Sequence, residues 1–289
     1  MSSSRSLGVA LLSLLAGAGC TQVVDVDEYT FVSDPCGDPP PSCTGGRDLT
    51  LVVVVADTPH EDEAGRRDGF DVDGTSDAIC GQRDFVSPTG ETGIDNQLAV
   101  VLDLYASLEG IDLREQNRST YVRGEYLTTL FIGGYDGPDD DCVQVSYRAA
   151  RLPEGVAPST LDADGDGEID PGLTFDYGPP LLRDTSACVI DGVVHASFEP
   201  ALATIPVIAT EARVERGRLR ATLGETRTSF LLGITLRLED LTTALPAEVL
   251  EFLRPRADVA PSTRGSRDCS AISFAFESEA VPAVRGSMF

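Results

Sequence analysis

Apolar residues recur at every second position in one segment of this chain after another, and that alternation restricts it to folds built from half-buried strands. Val143, Val145, Tyr147 and Ala149 alternate with Gln144, Ser146 and Arg148. Phe230, Leu232, Ile234, Leu236 and Leu238 repeat the pattern. Leu49 to Val55 is instead a near-continuous β-branched run, the mark of a strand buried on both faces. Leu127 to Ile132, Val189 to Phe198, Ile205 to Thr210 and Val214 to Leu223 are further strand candidates, with Gly217 marking a bulge. Ile272, Phe274 and Phe276 make a closing strand. Alternation with one wet face implies antiparallel sheets, and two sheets packed face to face bury them economically. The expected fold is mainly β: an antiparallel β-sandwich with one or two peripheral helices. Leu98, Val101, Leu102, Tyr105 and Leu108 share a helical face, with Asp95 available as N-cap, and Pro246 opens a short helix.

The chain begins with Arg5, then an apolar run from Leu7 to Gly19, then Cys20. The run suits a secretory leader and falls short of the ~20 residues that span a bilayer as a helix. Ala18 and Gly19 lead straight into the cysteine, and Gly17 stands where Leu is usual. The segment resembles a bacterial lipoprotein signal, which implies cleavage before Cys20 and lipidation of that residue. Thr21 follows, and in such signals the absence of Asp there implies the outer membrane. Acyl chains on one cysteine supply the several hydrophobic contacts that stable anchoring needs. Residues 1–19 thus read as a leader and 20–47 as a lipidated, Pro- and Gly-rich tether. Residues 48–289 read as a single β-rich extracytoplasmic domain.

Charge narrows the partners. The net charge is −25, and all 22 basic residues are arginine. Without lysine there is no P-loop and no Schiff base. Strong acidity argues against nucleic acid and against docking on anionic lipid through a basic patch. A protein or other envelope ligand remains as partner, beside the membrane reached through the lipid.

Six cysteines follow Cys20: Cys36, Cys43, Cys80, Cys142, Cys188 and Cys269. An even number in an exported chain reads as three disulfides. Cys36 and Cys43 flank a turn-prone Gly-Asp-Pro-Pro-Pro-Ser and are expected to pair with each other. The spacing contains no C-x-x-C, so zinc is not indicated.

The sharpest chemical motif is Asp162-Ala-Asp164-Gly-Asp166-Gly167-Glu168-Ile169-Asp170. Oxygens at alternate positions followed by a glycine wrap a chain around a hard cation. Asp162, Asp164 and Asp166 would offer carboxylates, Glu168 its carbonyl and Asp170 a direct or water-mediated oxygen. Ile169 would pin the loop to the core. These nine residues resemble the EF-hand-type loop of dockerins and thrombospondin-like repeats, which implies calcium as a structural ion. The resemblance stops at position twelve, where Leu173 replaces the bidentate Glu, and Asp176 further on would need a different backbone path. Asp71, Asp73 and Asp77 repeat the alternation more weakly within the acidic, Gly-rich loop 57–95, a second candidate metal site.

No catalytic motif is assembled. His60 lacks the second His of a zinc-protease helix, His195 sits in an apolar strand, and no G-x-S-x-G occurs. No residue is assigned as catalytic. The expected function is a lipid-anchored cell-envelope protein of binding or structural type, stabilised by calcium and disulfides. The alternative is a calcium-dependent envelope hydrolase, which would show a concave pocket holding His60 or two facing carboxylates. Gly69-Phe-Asp-Val-Asp-Gly, Gly93-Ile-Asp-Asn and Cys269-Ser-Ala-Ile-Ser-Phe together resemble a group of myxobacterial-type lipoproteins, a likeness that implies no activity.

Overall fold

A computed structural model describes residues 35–37, 43, 45–74, 80–205, 210–243, 247–260 and 269–289. The leader, Cys20, most of the tether and Pro246 lie outside the described residues. The chain divides into two compact units, Met1–Thr30 and Phe31–Phe289, and the fold below is that of the second.

Twelve strands and three α-helices are described. In chain order they are β1 (Arg47–Asp57), β2 (Phe85–Val86), β3 (Thr92–Ile94), α1 (Gln97–Glu109), α2 (Leu113–Val122), β4 (Leu127–Tyr135), β5 (Asp140–Arg151) and β6 (Thr174–Ile190). Then follow β7 (Val193–Phe198), β8 (Ala201–Ile205), β9 (Thr210–Thr222), β10 (Thr228–Arg237), α3 (Ala247–Leu253), β11 (Ala271–Pro282) and β12 (Val284–Met288).

Ten of the described strands form one sheet that closes on itself, in place of two facing ones, and β2 and β3 pair separately. Its order is β10-β11-β1-β4-β5-β6-β7-β9, and β9 pairs back onto β10. The expected sandwich is therefore corrected to an eight-stranded antiparallel β-barrel. The physical reason is edge satisfaction. A sandwich leaves four strand edges open, whereas closure through Phe230↔Ala221, Leu232↔Leu219 and Ile234↔Gly217 pairs them. Irregular register at Val53/Val55, along β5–β6 and opposite Ile234/Leu236 supplies the local bends. β8 extends the sheet beside the start of β9, and β12 adds to β6 in parallel.

Alternation decides what fills the barrel. Leu130, Ile132, Val143, Val145, Tyr147, Val194, Leu219, Phe230, Leu232, Ile234, Leu236 and Phe274 are buried and belong to one core cluster. Small barrels are filled this way by side chains and leave no lumen. β1 is buried on both faces from Leu51 to Asp57, because α2 packs on its outer side. α1 lies on β11, where Asn96 Oδ1 accepts from Ala275 N (2.9 Å) and Gln97 N donates to Ser273 Oγ (3.0 Å). The N-cap is accordingly Asn96, not Asp95. Leu98 and Val101 are buried, whereas Tyr105 and Leu108 are 52% and 76% exposed, so the helix outruns the sheet it was expected to follow.

Segment Val189 to Phe198 is a hairpin turning at Asp191, the one non-glycine with positive φ among the described residues. Of the expected strand Ile205 to Thr210, Ile205 ends β8 and Thr210 begins β9, and residues 206–209 lie outside the described set.

The disulfides are Cys36–Cys188, Cys43–Cys142 and Cys80–Cys269, with Cα–Cα separations of 5.4, 5.0 and 5.6 Å. The expected Cys36–Cys43 bridge is thus corrected. Cheap closure of a short loop governs encounter in the unfolded chain. In the folded barrel Cys188 on β6 and Cys142 on β5 each stand beside one of the two.

Candidate metal centre

The Asp162–Asp170 loop lies between β5 and β6 and is held at both ends by apolar anchors. Leu161 and Ile169 are 0% and 2% exposed, and Asp170 N donates to Leu161 O (2.7 Å). Between them the carboxylates organise the backbone. Asp162 Oδ2 accepts from Gly167 N (3.1 Å), and Asp164 Oδ1 from Asp166 N (3.2 Å). Asp166 Oδ1 accepts from Glu168 N (2.9 Å), and Asp170 Oδ2 from Ala163 N (2.9 Å). Gly165 and Gly167 take φ of 79° and 82°, a left-handed backbone that side chains rarely adopt and this tight wrap requires.

Asp162, Asp164 and Asp166 each bring a carboxylate oxygen within 4.8 Å of the others. Asp162 Oδ1 is buried without a hydrogen-bond partner. The Glu168 carboxylate is turned to Arg227 and to Arg118 (3.8 Å), which leaves the loop its backbone alone. Leu173 packs against the core, and Asp176 accepts from Ser287 N (2.8 Å), so neither completes the loop.

From Glu168 a chain of ion pairs runs across the surface. Arg227 also binds Glu279 (2.5 Å), Glu279 binds Arg114 (2.6 Å), and Arg114 lies 3.9 Å from Asp57. Burial works against the charge of Glu279, but hydrogen bonds from Arg227 and Arg114 outweigh it and hold its pKa below the usual range.

The second acidic cluster is Asp71, Asp73 and Asp95, again with carboxylate oxygens within 4.8 Å. Asp77 lies outside the described residues. Asp95, which in sequence lies beyond the Asp71, Asp73 and Asp77 run, is 3% exposed and enters because it bridges to Phe70. Its Oδ2 accepts from Val72 N (2.8 Å) and Asp73 N (3.3 Å). Burial, then the charges of Asp73 and Asp258, push its pKa up to about 9. A cation among the three carboxylates would reverse that shift by favouring the charged form. Phe70 seats the segment by lying on Gly233, where a Cβ would come within 2.5 Å of its ring.

Two clefts open beside β9, one towards β7 and the other towards β10 and β11. One, of about 260 Å³, is lined by Gly69 to Asp71, His195 to Ser197 and Arg218 to Arg220. The other, of about 340 Å³, holds Asp68, Arg114, Arg220, Glu277 and Glu279. Its carboxylates are largely engaged: Arg220 grips Asp68 at 3.0 and 3.2 Å, and Glu279 is shared by two arginines. Burial, with Asp68 and Asp57 nearby, raises the pKa of Glu277. His60 lines neither cleft; its Nδ1 meets Asp103 (3.1 Å), which Arg67 also holds (2.8 Å). The arrangement offers fixed charges and oxygen ligands, and among the described residues His60 faces the carboxylates of Asp103 and Asp57. No family model matches the chain, and no curated protein and no solved structure is found to match it either.

Proposed function

We propose that the chain is a lipid-anchored cell-envelope protein of binding or structural type, whose disulfide-stapled barrel is braced by calcium in the Asp162–Asp170 loop. The observation that carries the calcium reading is the convergence of Asp162, Asp164 and Asp166 around a buried, unpartnered Asp162 oxygen. Carboxylates so placed repel unless a cation stands between them, and oxygen ligands at alternate positions suit a hard ion. A second ion in the Asp71, Asp73, Asp95 cluster would tie the outer loop down in the same way. Filling of the barrel by side chains favours a role for the outer surface over storage of a small ligand inside.

Calorimetric titration of the full chain tests the ion. Lacking the bidentate Glu, the loop should bind calcium with Kd of about 10⁻⁴–10⁻³ M. At ten times Kd this adds about 1.4 kcal/mol and raises Tm by about 3–6 °C. Asp162→Asn with Asp166→Asn should abolish the heat and the shift from this loop. No heat and no gain in Tm at several millimolar calcium would overturn the reading. Anchoring is checked separately: Cys20→Ser should release the protein from the membrane fraction.

A further inference from the structure

Three arginines stand two residues apart on β9: Arg216, Arg218 and Arg220. Leu219 and Ala221 belong to the core, so the period-two alternation turns the arginines outwards. The outer two are engaged. Arg216 Nη1 donates to Val72 O (2.9 Å). Arg220 grips Asp68 (3.0 and 3.2 Å), reaches Glu91 (3.4 Å) and stacks on Phe70 at 5.7 Å from the ring centroid. Together they hold the segment from Asp68 to Val72 against the barrel. The Arg218 guanidinium between them is half-buried and makes no ion pair and no hydrogen bond among the described residues.

Arg218 lines the cleft of about 260 Å³ between β7 and β9, where Ser197 stands opposite it. Phe70 and Ile94 supply apolar wall, and Pro35 borders the cleft beside the Cys36–Cys188 bridge. Phe70 is seated on the bare backbone of Gly233, so the wall is in place before any ligand arrives. Glu91, also lining the cleft, is 57% exposed. Its Oε2 takes the contact from Arg220, and its Oε1 accepts from no described residue. Arg218 and Arg220 follow each other on one strand face, about 7 Å apart. The carboxylate held at Arg220 and the guanidinium of Arg218 thus lie within one small molecule of each other.

An unpaired cation, an acceptor of opposite sign and an apolar wall in one small space match a zwitterion with an apolar side chain. A simple carboxylate would meet repulsion from Glu91 and Asp71, and a simple amine would meet it from Arg218. The volume lies just below the ~300–1,000 Å³ usual for ligand pockets, which suits one residue rather than a peptide. We infer that the cleft binds a free α-amino acid with an apolar side chain. Its carboxylate takes the paired donors of Arg218, its ammonium meets Glu91, and its side chain lies against Phe70 and Ile94. This rests on the binding reading of the outer surface given above, and on neither the lipid nor the ion.

Calorimetric titration of the full chain with L-phenylalanine and with L-leucine tests the assignment. Saturable heat is expected, with a rise in Tm. 3-Phenylpropionate lacks the ammonium and phenethylamine lacks the carboxylate, and each should bind at least about tenfold more weakly than L-phenylalanine. Arg218→Gln should weaken the amino acid at least about tenfold, and Glu91→Gln at least about threefold. An unchanged Tm for Arg218→Gln without ligand shows that the fold persists. No heat with either amino acid at millimolar concentration would overturn the inference, as would indifference to Arg218→Gln. Binding of 3-phenylpropionate or N-acetyl-phenylalanine as tight as that of L-phenylalanine would overturn it too, because the ammonium would then go unread. The calcium brace is tested by calcium heat and the anchor by Cys20→Ser, so those readings and this one can fail separately.

Discussion

Single carboxylates show how burial changes what an aspartate can do. Asp258 is 6% exposed, with Ser273 N donating to it at 2.8 Å and Ser273 Oγ donating as well. Burial raises its pKa to about 7 despite those hydrogen bonds. The sign follows from linkage. The folded protein keeps a proton that the unfolded chain loses above the usual value of 3.8, so stability falls as pH rises from there to about 7. Asp95 extends the same trend to about 9 when no cation is present. Thermal unfolding in a chelator should therefore give a Tm that declines from about pH 4 to about pH 9. Asp258→Asn should flatten the decline, and an unchanged slope would remove Asp258 from the account. Added calcium should raise Tm most at the alkaline end, where the carboxylates it meets would otherwise be ionised and unpaired.

Elements differ in how far they could be read from residues alone. β5 and β10 announce themselves by strict alternation, and β1 by its β-branched run. α2 does not, because Leu-Arg-Glu-Gln-Asn-Arg-Ser-Thr-Tyr-Val has no apolar stripe; Asp112 caps it through Glu115 N (3.0 Å) and buried Tyr121 holds its end. β6 was hidden by Gly178-Pro179-Pro180 and by several register shifts against β5. Gly233 shows an element shaped by its neighbour, since Phe70 needs the bare backbone of β10. Gly233→Ala should lift Phe70 and loosen the Asp71–Asp73–Asp95 segment, at a cost of about 1–3 kcal/mol for overpacking. Denaturant unfolding with hydrogen exchange in residues 58–74 would check it, the expected result being faster exchange there. Phe274→Ala on β11, at 1% exposure within the core, should cost about 3–5 kcal/mol and act on the whole barrel.

At the scale of the molecule, closure and cross-linking work together. The three disulfides span 152, 99 and 189 residues of sequence, long loops whose closure takes much entropy from the unfolded chain. Replacing Cys80 and Cys269 by Ser should cost about 2–5 kcal/mol, read as a lower midpoint in denaturant. The strands and the spacing of the Asp162–Asp170 loop were legible in the residues because both are local: alternation has a period of two, and a loop that wraps its own ion needs only consecutive positions. Barrel rather than sandwich, Cys36 with Cys188 rather than Cys43, and Asp95 beside Asp71 were decided by tertiary structure. Each joins residues whose distance in space is set by which strand edges pair. An inward–outward pattern serves a sandwich and a barrel equally, so the residues determined what each strand buries, and hydrogen bonding between β9 and β10 determined the shape it is buried in.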